Sequence, residues 1–265
     1  MTEESNNFLY STLPVIGKRV FRLGLALNYG IDAPATESAL LEQGMNYIFW
    51  TPRMERATPA VKEVLKRNRD RYVLATGPTT AWWGGNLRHF VDKALLLLQT
   101  DYLDVLQMFW LGVTSAWKDG TVDEMMRLRE AGKVRALGIS IHNRKRAGKL
   151  AADSELDLLM VRYNAAHPGA EQNIFPHLPP GRRSIVAYTA TCWQKLLRAP
   201  RGWTGAVPAA GDCYRFCLSN PHVNVVLTGP KNAKQLRDNL EAIQAGALNE
   251  KEMAWMREFG KAVHG

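Results

Sequence analysis

The sequence predicts a single (β/α)8 barrel. Eight short apolar runs alternate with amphipathic stretches, the pattern of a parallel α/β fold. A length of 265 residues suits one barrel, and the repeat of strand and helix leaves no stretch over for a second domain. The first strand–turn, Leu23-Gly24-Leu25-Ala26-Leu27-Asn28-Tyr29-Gly30, lacks the G-x-G-x-x-G spacing of a doubly wound dinucleotide-binding sheet. That absence favours the closed barrel over the other arrangement that right-handed crossovers allow.

Strands are predicted at Val20–Leu27, Asn46–Trp50, Tyr72–Gly77, Val105–Leu111, Val134–Ile141, Leu158–Asn164, Ser184–Thr189 and Val223–Thr228, each with alternating or continuous apolar residues. Helical spacing follows each strand, most clearly at Thr58–Arg67, Asn86–Gln99, Val122–Ala131, Asp212–Leu218 and Ala233–Ala242. A last helix over Asn249–Val263 opens with Asn249 and has Glu252 three residues on, a capping-box arrangement. Gly44 and Gly132 follow apolar-periodic runs, where helices end. Phe8–Tyr10 with Lys18–Phe21 is expected to form a hairpin closing the barrel bottom. The Pro/Gly-rich stretch 199–210 should cross the top.

Composition narrows the function classes. Hydrophobic residues at 46% and charged residues at 22% describe a globular domain, and no apolar run approaches the ~20 residues of a membrane helix. The N-terminus is polar, without the apolar core of a signal peptide. Three cysteines, Cys192, Cys213 and Cys217, have no metal-ligand spacing, and a reduced cytoplasmic setting is the default. The net charge of +9 is spread along the chain with no nucleic-acid motif beside it, so neither nucleic acid nor membrane is expected as a partner, and no metal site either. Arg144-Lys145-Arg146 opens a helix on the top face.

In such a barrel the site is built by loops after the strands' C-terminal ends. Seven of the eight tryptophans fall there: Trp50, Trp82, Trp83, Trp110, Trp117, Trp193 and Trp203. The set predicts an aromatic-walled mouth, with Tyr29, Trp50, Trp82, Trp83 and Trp110 lining a pocket for a small apolar or aromatic molecule.

Four segments carry a family resemblance. They are Gly44-Met45-Asn46-Tyr47-Ile48, Asp101-Tyr102-Leu103-Asp104-Val105-Leu106-Gln107-Met108, Gly132-Lys133-Val134-Arg135-Ala136-Leu137-Gly138-Ile139-Ser140, and the region from Ser219-Asn220-Pro221 through Gly229 to Leu236-Arg237-Asp238-Asn239. In this order and spacing the chain resembles the aldo-keto reductases almost end to end. The resemblance implies a barrel that transfers hydride from NADPH to a carbonyl while a Tyr donates the proton, a Lys and an Asp lower that Tyr's pKa, and a His orients the carbonyl. At the matching positions this chain has Met54 for the Tyr, Gly77 for the Lys, Phe49 for the Asp and Phe109 for the His. None of these carries a proton. His142, just past the fifth strand, is the first candidate for a replacement acid, and Arg53 for holding an anion or polarising a carbonyl. The resemblance also implies NADP(H) contacts: Tyr188 under the nicotinamide, Ser140 at its carboxamide, and Gly229, Lys231, Asn232, Gln235, Asp238 and Asn239 toward the adenosine end. Ile141 and Met160 stand where the family has amides, and Gln235 where it has an Arg, which leaves NAD(H) as an alternative. Two functions are therefore expected. One is a divergent NADP(H)-linked oxidoreductase with a non-standard proton donor. The other is a non-catalytic pseudoenzyme that binds nucleotide or ligand as a sensor.

Overall fold

The apolar runs pair in the order they occur. In a computed structural model, which describes residues 8–264, strands β3 (Leu23–Ala26), β4 (Tyr47–Phe49), β5 (Val73–Thr76), β6 (Leu103–Met108), β7 (Val134–Ile141), β8 (Leu158–Arg162), β9 (Ser184–Tyr188) and β10 (Val223–Thr228) close into a parallel barrel. β10 pairs with β3 at Val226↔Leu23 and completes the ring. The outer layer holds α1 (Ala33–Leu41), α2 (Thr58–Arg67), α3 (Gly84–Leu98), α4 (Asp119–Glu130), α5 (Arg144–Ala152), the short α6 (Ala170–Asn173), α7 (Ala210–Leu218) and α8 (Ala233–Ile243), with α9 (Glu250–His264) last. Among the described residues no helix is long and apolar enough to cross a membrane. The polar start at residues 1–7 lies outside them.

Register decides which side chains look inward, because laterally paired residues of parallel strands share a face. Phe49 pairs with Ala75, and Ala75 with Val105. Gln107 pairs with Gly138, Ser140 with Met160, and Arg162 with Tyr188. Small residues make room for large ones: a Cβ on Gly24 would lie 2.9 Å from Cδ1 of Tyr47, whose fully buried ring fills the interior at that level.

The expected first strand divides in two. Val20 and Phe21 belong to a hairpin, β1 (Tyr10–Leu13) with β2 (Lys18–Phe21), and the barrel strand begins only at Leu23. The hairpin's first arm is therefore Tyr10–Leu13, while Phe8 and Leu9 are helical. Arg22 makes the break. Its guanidinium, 7% exposed, donates to the carbonyls of Phe8 (2.8 Å), Leu218 (2.8 Å) and Val223 (2.6 Å), tying hairpin, helix and strand together. Burial pulls its pKa down to about 10. Farther round the ring, buried Asp104 accepts from Lys18 (2.8 Å) and pairs with Arg69 (2.7 Å), which fixes the hairpin under β5 and β6. The last helix carries its reciprocal cap: Glu252 N donates to Asn249 Oδ1 at 2.9 Å and Asn249 N to Glu252 Oε2 at 2.8 Å.

Candidate ligand site

Two cavities open at the C-terminal ends of the strands. The first, about 740 Å³, has Phe49, Met54 and Phe109 in its floor, all nine-tenths or more buried. The Phe49 and Phe109 rings meet edge-on with centroids 5.5 Å apart, a favourable aromatic geometry. Met54 is held by its own loop, its Sδ accepting from Thr51 N at 3.2 Å. Trp110 joins the wall in a left-handed conformation (φ +47°), with its N–H on Ser140 Oγ at 3.2 Å.

His142 lies at the mouth of this cavity against Tyr188. The rings are 6.0 Å apart at 80°, and the phenol oxygen is 3.3 Å from His142 Nε2. Burial, and then the charge of Arg162, lower the His142 pKa from its ordinary 6.5, so the imidazole is neutral at pH 7. Burial pushes the Tyr188 phenol up to about 12, against the pull of Arg162, and it keeps its proton. Arg53 stands on the rim with no hydrogen bond or ion pair among the described residues.

The second cavity, about 510 Å³, lies toward β10 and α8 and shares Tyr29, Thr189 and Trp193 with the first. Gly229 is needed at this junction: a Cβ there would fall 2.1 Å from Tyr29 Cδ2, so the Tyr29 ring rests on bare backbone. Lys231, Gln235, Asp238 and Asn239 also line it. Three of their side-chain polar atoms are engaged. Gln235 Oε1 accepts from Lys231 N (2.9 Å), Asp238 pairs with Lys234 (2.7 Å), and Asn239 Nδ2 donates to Thr228 Oγ1 (3.0 Å). The Lys231 ammonium has no partner among the described residues.

The comparisons with known proteins settle the ancestry of this site. Residues 37–191 match the Aldo/keto reductase family. The chain belongs to that family. It is 28% identical over 195 residues to "Aldo-keto reductase YhdN" of Bacillus subtilis (strain 168), a match covering 67% of this chain but 58% of that relative. To the "Uncharacterized oxidoreductase YqkF" of the same organism it is 22% identical over 262 residues, covering 83% and 85% of the two chains. The holo form of aldo-keto reductase AKR11C1 from Bacillus halodurans superposes with a TM-score of 0.79 at 21% identity, covering 96% of each chain, which speaks to the fold.

Gly77 follows Thr76 at the end of β5. A Cβ built on Gly77 would fall 1.6 Å from the backbone oxygen of Gln107 and 2.6 Å from its carbonyl carbon. β5 and β6 approach too closely there for any side chain, let alone a lysine. Met160 lines the first cavity, its Sδ accepting from Gln107 Nε2 at 3.1 Å. Tyr188 and Ser140 line that cavity and Lys231 the second, as the resemblance expects of cofactor contacts, whereas Met160 offers a thioether where it expects an amide.

Several sequence expectations need correction. Trp50 is not in the pocket wall. It follows Phe49 on the strand, so period-2 alternation turns it outward, where it is fully buried with Nε1 donating to Thr58 Oγ1 at 2.9 Å. Trp82 and Trp83 also lie outside both cavities. Their loop is tied to the neighbouring one by Ala81 N to Thr114 O (3.0 Å) and Ala116 N to Ala81 O (3.1 Å), leaving Trp83 66% exposed. Asn232 does not line the second cavity; its Oδ1 caps α8 by accepting from Gln235 N at 3.0 Å. Conversely, Trp193 was named only within the tryptophan set at the mouth, and Arg56, which lines the first cavity, and Arg162 near it were not singled out. Trp193 (φ +53°) sits in a turn with Thr189, Cys192 and Gln194 also left-handed, strain that holds it between the cavities. Arg56 is three residues from Arg53 on the same loop, and Arg162 is two past inward-facing Met160. Both spacings were readable.

Proposed function

We propose that this chain is a ligand- and nucleotide-binding member of the aldo/keto reductase family that lacks the family's proton transfer, acting as a binding or sensing protein. The observation that carries the reading is Gly77, where a Cβ has no room beside Gln107, together with the apolar floor of Phe49, Met54 and Phe109. When bound, a nicotinamide cofactor supplies or accepts hydride. Tyr188 would offer it an aromatic face, Ser140 a hydroxyl, and Lys231 a charge for phosphate. Without a positioned acid, a carbonyl receiving hydride is left as an alkoxide, and general acid catalysis is worth about 10²–10⁴-fold. Three free, buried cysteines are consistent with a reducing, cytoplasmic setting.

The test is titration of the full chain with NADPH and NADH, followed by quenching of tryptophan fluorescence at Trp110 and Trp193, with turnover assayed on a panel of aldehydes. Saturable quenching without appreciable turnover is expected. Absence of quenching ends the nucleotide reading, and rapid reduction of simple aldehydes ends the loss of proton transfer.

A second reading, a divergent oxidoreductase, draws on the Tyr188–His142 contact as a rearranged donor pair. It requires turnover that His142→Ala abolishes, with activity rising at acid pH, since the lowered His142 pKa leaves the ring uncharged at neutrality.

A further inference from the structure

The first cavity has one face without chemistry and another with unspent charge. Its floor is hydrocarbon and aromatic, Phe49, Met54 and Phe109, closed to solvent by their mutual packing. On its rim, Arg53 and Arg56 are exposed, and neither has a hydrogen bond or ion pair among the described residues. Other arginines are committed to carboxylates, as Arg88 to Glu124 (2.7 Å), Arg129 to Asp157 (3.2 Å) and Arg257 to Glu171 (2.9 Å). Arg162, in register with Tyr188 but outside the cavity's lining, has its guanidinium 5.9 Å from the Trp193 ring and no acidic partner among the described residues. After burial, its charge is the second cause that lowers the pKa of His142. Against these two rim cations, Glu55 is the one carboxylate lining the cavity, and it also borders a neighbouring recess with Lys62 and Lys66. A low-dielectric basin with an excess of one charge at its mouth concentrates counter-ions of the opposite sign.

We infer that this cavity takes an amphipathic monoanion, an aromatic or alicyclic carboxylate, whose ring lies on Phe49, Met54 and Phe109 and whose carboxylate is held by Arg53 and Arg56. Guanidinium suits that role, because its planar fork matches two carboxylate oxygens and it sheds water more readily than an ammonium. Neither arginine lines the second cavity, so an anionic nucleotide there does not use them. The inference rests on the ligand-binding half of the proposed function and is independent of the nucleotide half.

The experiment compares 2-naphthoate with its neutral counterpart 2-naphthalenemethanol, titrated into the full chain by tryptophan fluorescence with and without NADPH. Naphthoate should bind roughly tenfold more tightly, the effect of one charge-assisted hydrogen bond at a partly exposed rim. The Arg53→Gln/Arg56→Gln double variant should lose that preference, keep its affinity for the alcohol, and melt at the wild-type temperature. Equal affinities in the wild type, a preference surviving in the double variant, or binding of neither compound would overturn the inference. If NADPH fails to bind while naphthoate binding behaves as described, the nucleotide reading falls and this one stands.

Discussion

Gly77→Ala isolates the steric claim on which the loss of proton transfer depends. The added methyl carbon would lie 1.6 Å from Gln107 O and 2.6 Å from Gln107 C, both backbone atoms that no side-chain rotation can move aside. Relief requires parting β5 and β6, which are joined at Ala75↔Val105 and Thr76↔Leu106 just below. Overpacking of a well-packed interior costs about 1–3 kcal/mol, and displacing barrel backbone belongs at the upper end, near 3 kcal/mol. At roughly 2–4 °C per kcal/mol for a chain of this size, the melting temperature should fall by about 6–12 °C. Urea unfolding by far-UV circular dichroism gives the free energy, and thermal melts give the shift. A variant within about 0.5 kcal/mol of wild type, the range of an ordinary surface change, would refute the reasoning. It would also mean that a Cβ is accommodated at this position, and the quadruple variant Phe49→Asp, Met54→Tyr, Gly77→Lys, Phe109→His would then be worth assaying as a reductase.

Trp50→Phe should cost about 1–3 kcal/mol in urea unfolding by removing the hydrogen bond to Thr58 and leaving a gap, while affinity for 2-naphthalenemethanol stays unchanged; a large loss of affinity would return Trp50 to the pocket wall. Burial, with Arg162, His264, Arg144 and Lys195 nearby, holds the His167 pKa at about 4 against an ordinary 6.5. The unfolded chain therefore takes up this proton first, so the contribution of His167 is complete above pH 6.5 and is lost as pH falls toward 4. Urea midpoints at pH 7 and pH 5 should draw together in His167→Gln; an unchanged gap between them counts against the assignment.

Much of the barrel was legible because its signal is periodic. Apolar runs such as Leu158–Arg162 carry too few polar residues to be anything but a buried parallel strand. The break at Arg22 was not legible, because an arginine between Phe21 and Leu23 reads as one polar step in an alternating strand. Only the carbonyls of Phe8, Leu218 and Val223, distant in sequence, reveal why the chain turns there. Within the site, the vacant proton-transfer positions were visible as residue types, but that Gly77 excludes a side chain depends on strand spacing, which composition does not encode. Trp50 was misplaced although Phe49 beside it had been matched to a site position, so alternation would have turned Trp50 outward and the clustering of tryptophans overrode it.

Tyr29 on Gly229 is a partition with a guest chamber on either side. Because one side chain serves as the wall of both, a molecule that pushes it in one chamber reshapes the other, and thermodynamic linkage makes that influence mutual: each occupant must alter the grip on its neighbour by the same factor. Under the proposed binding role, the barrel would thereby have a means of reporting one small molecule in terms of another.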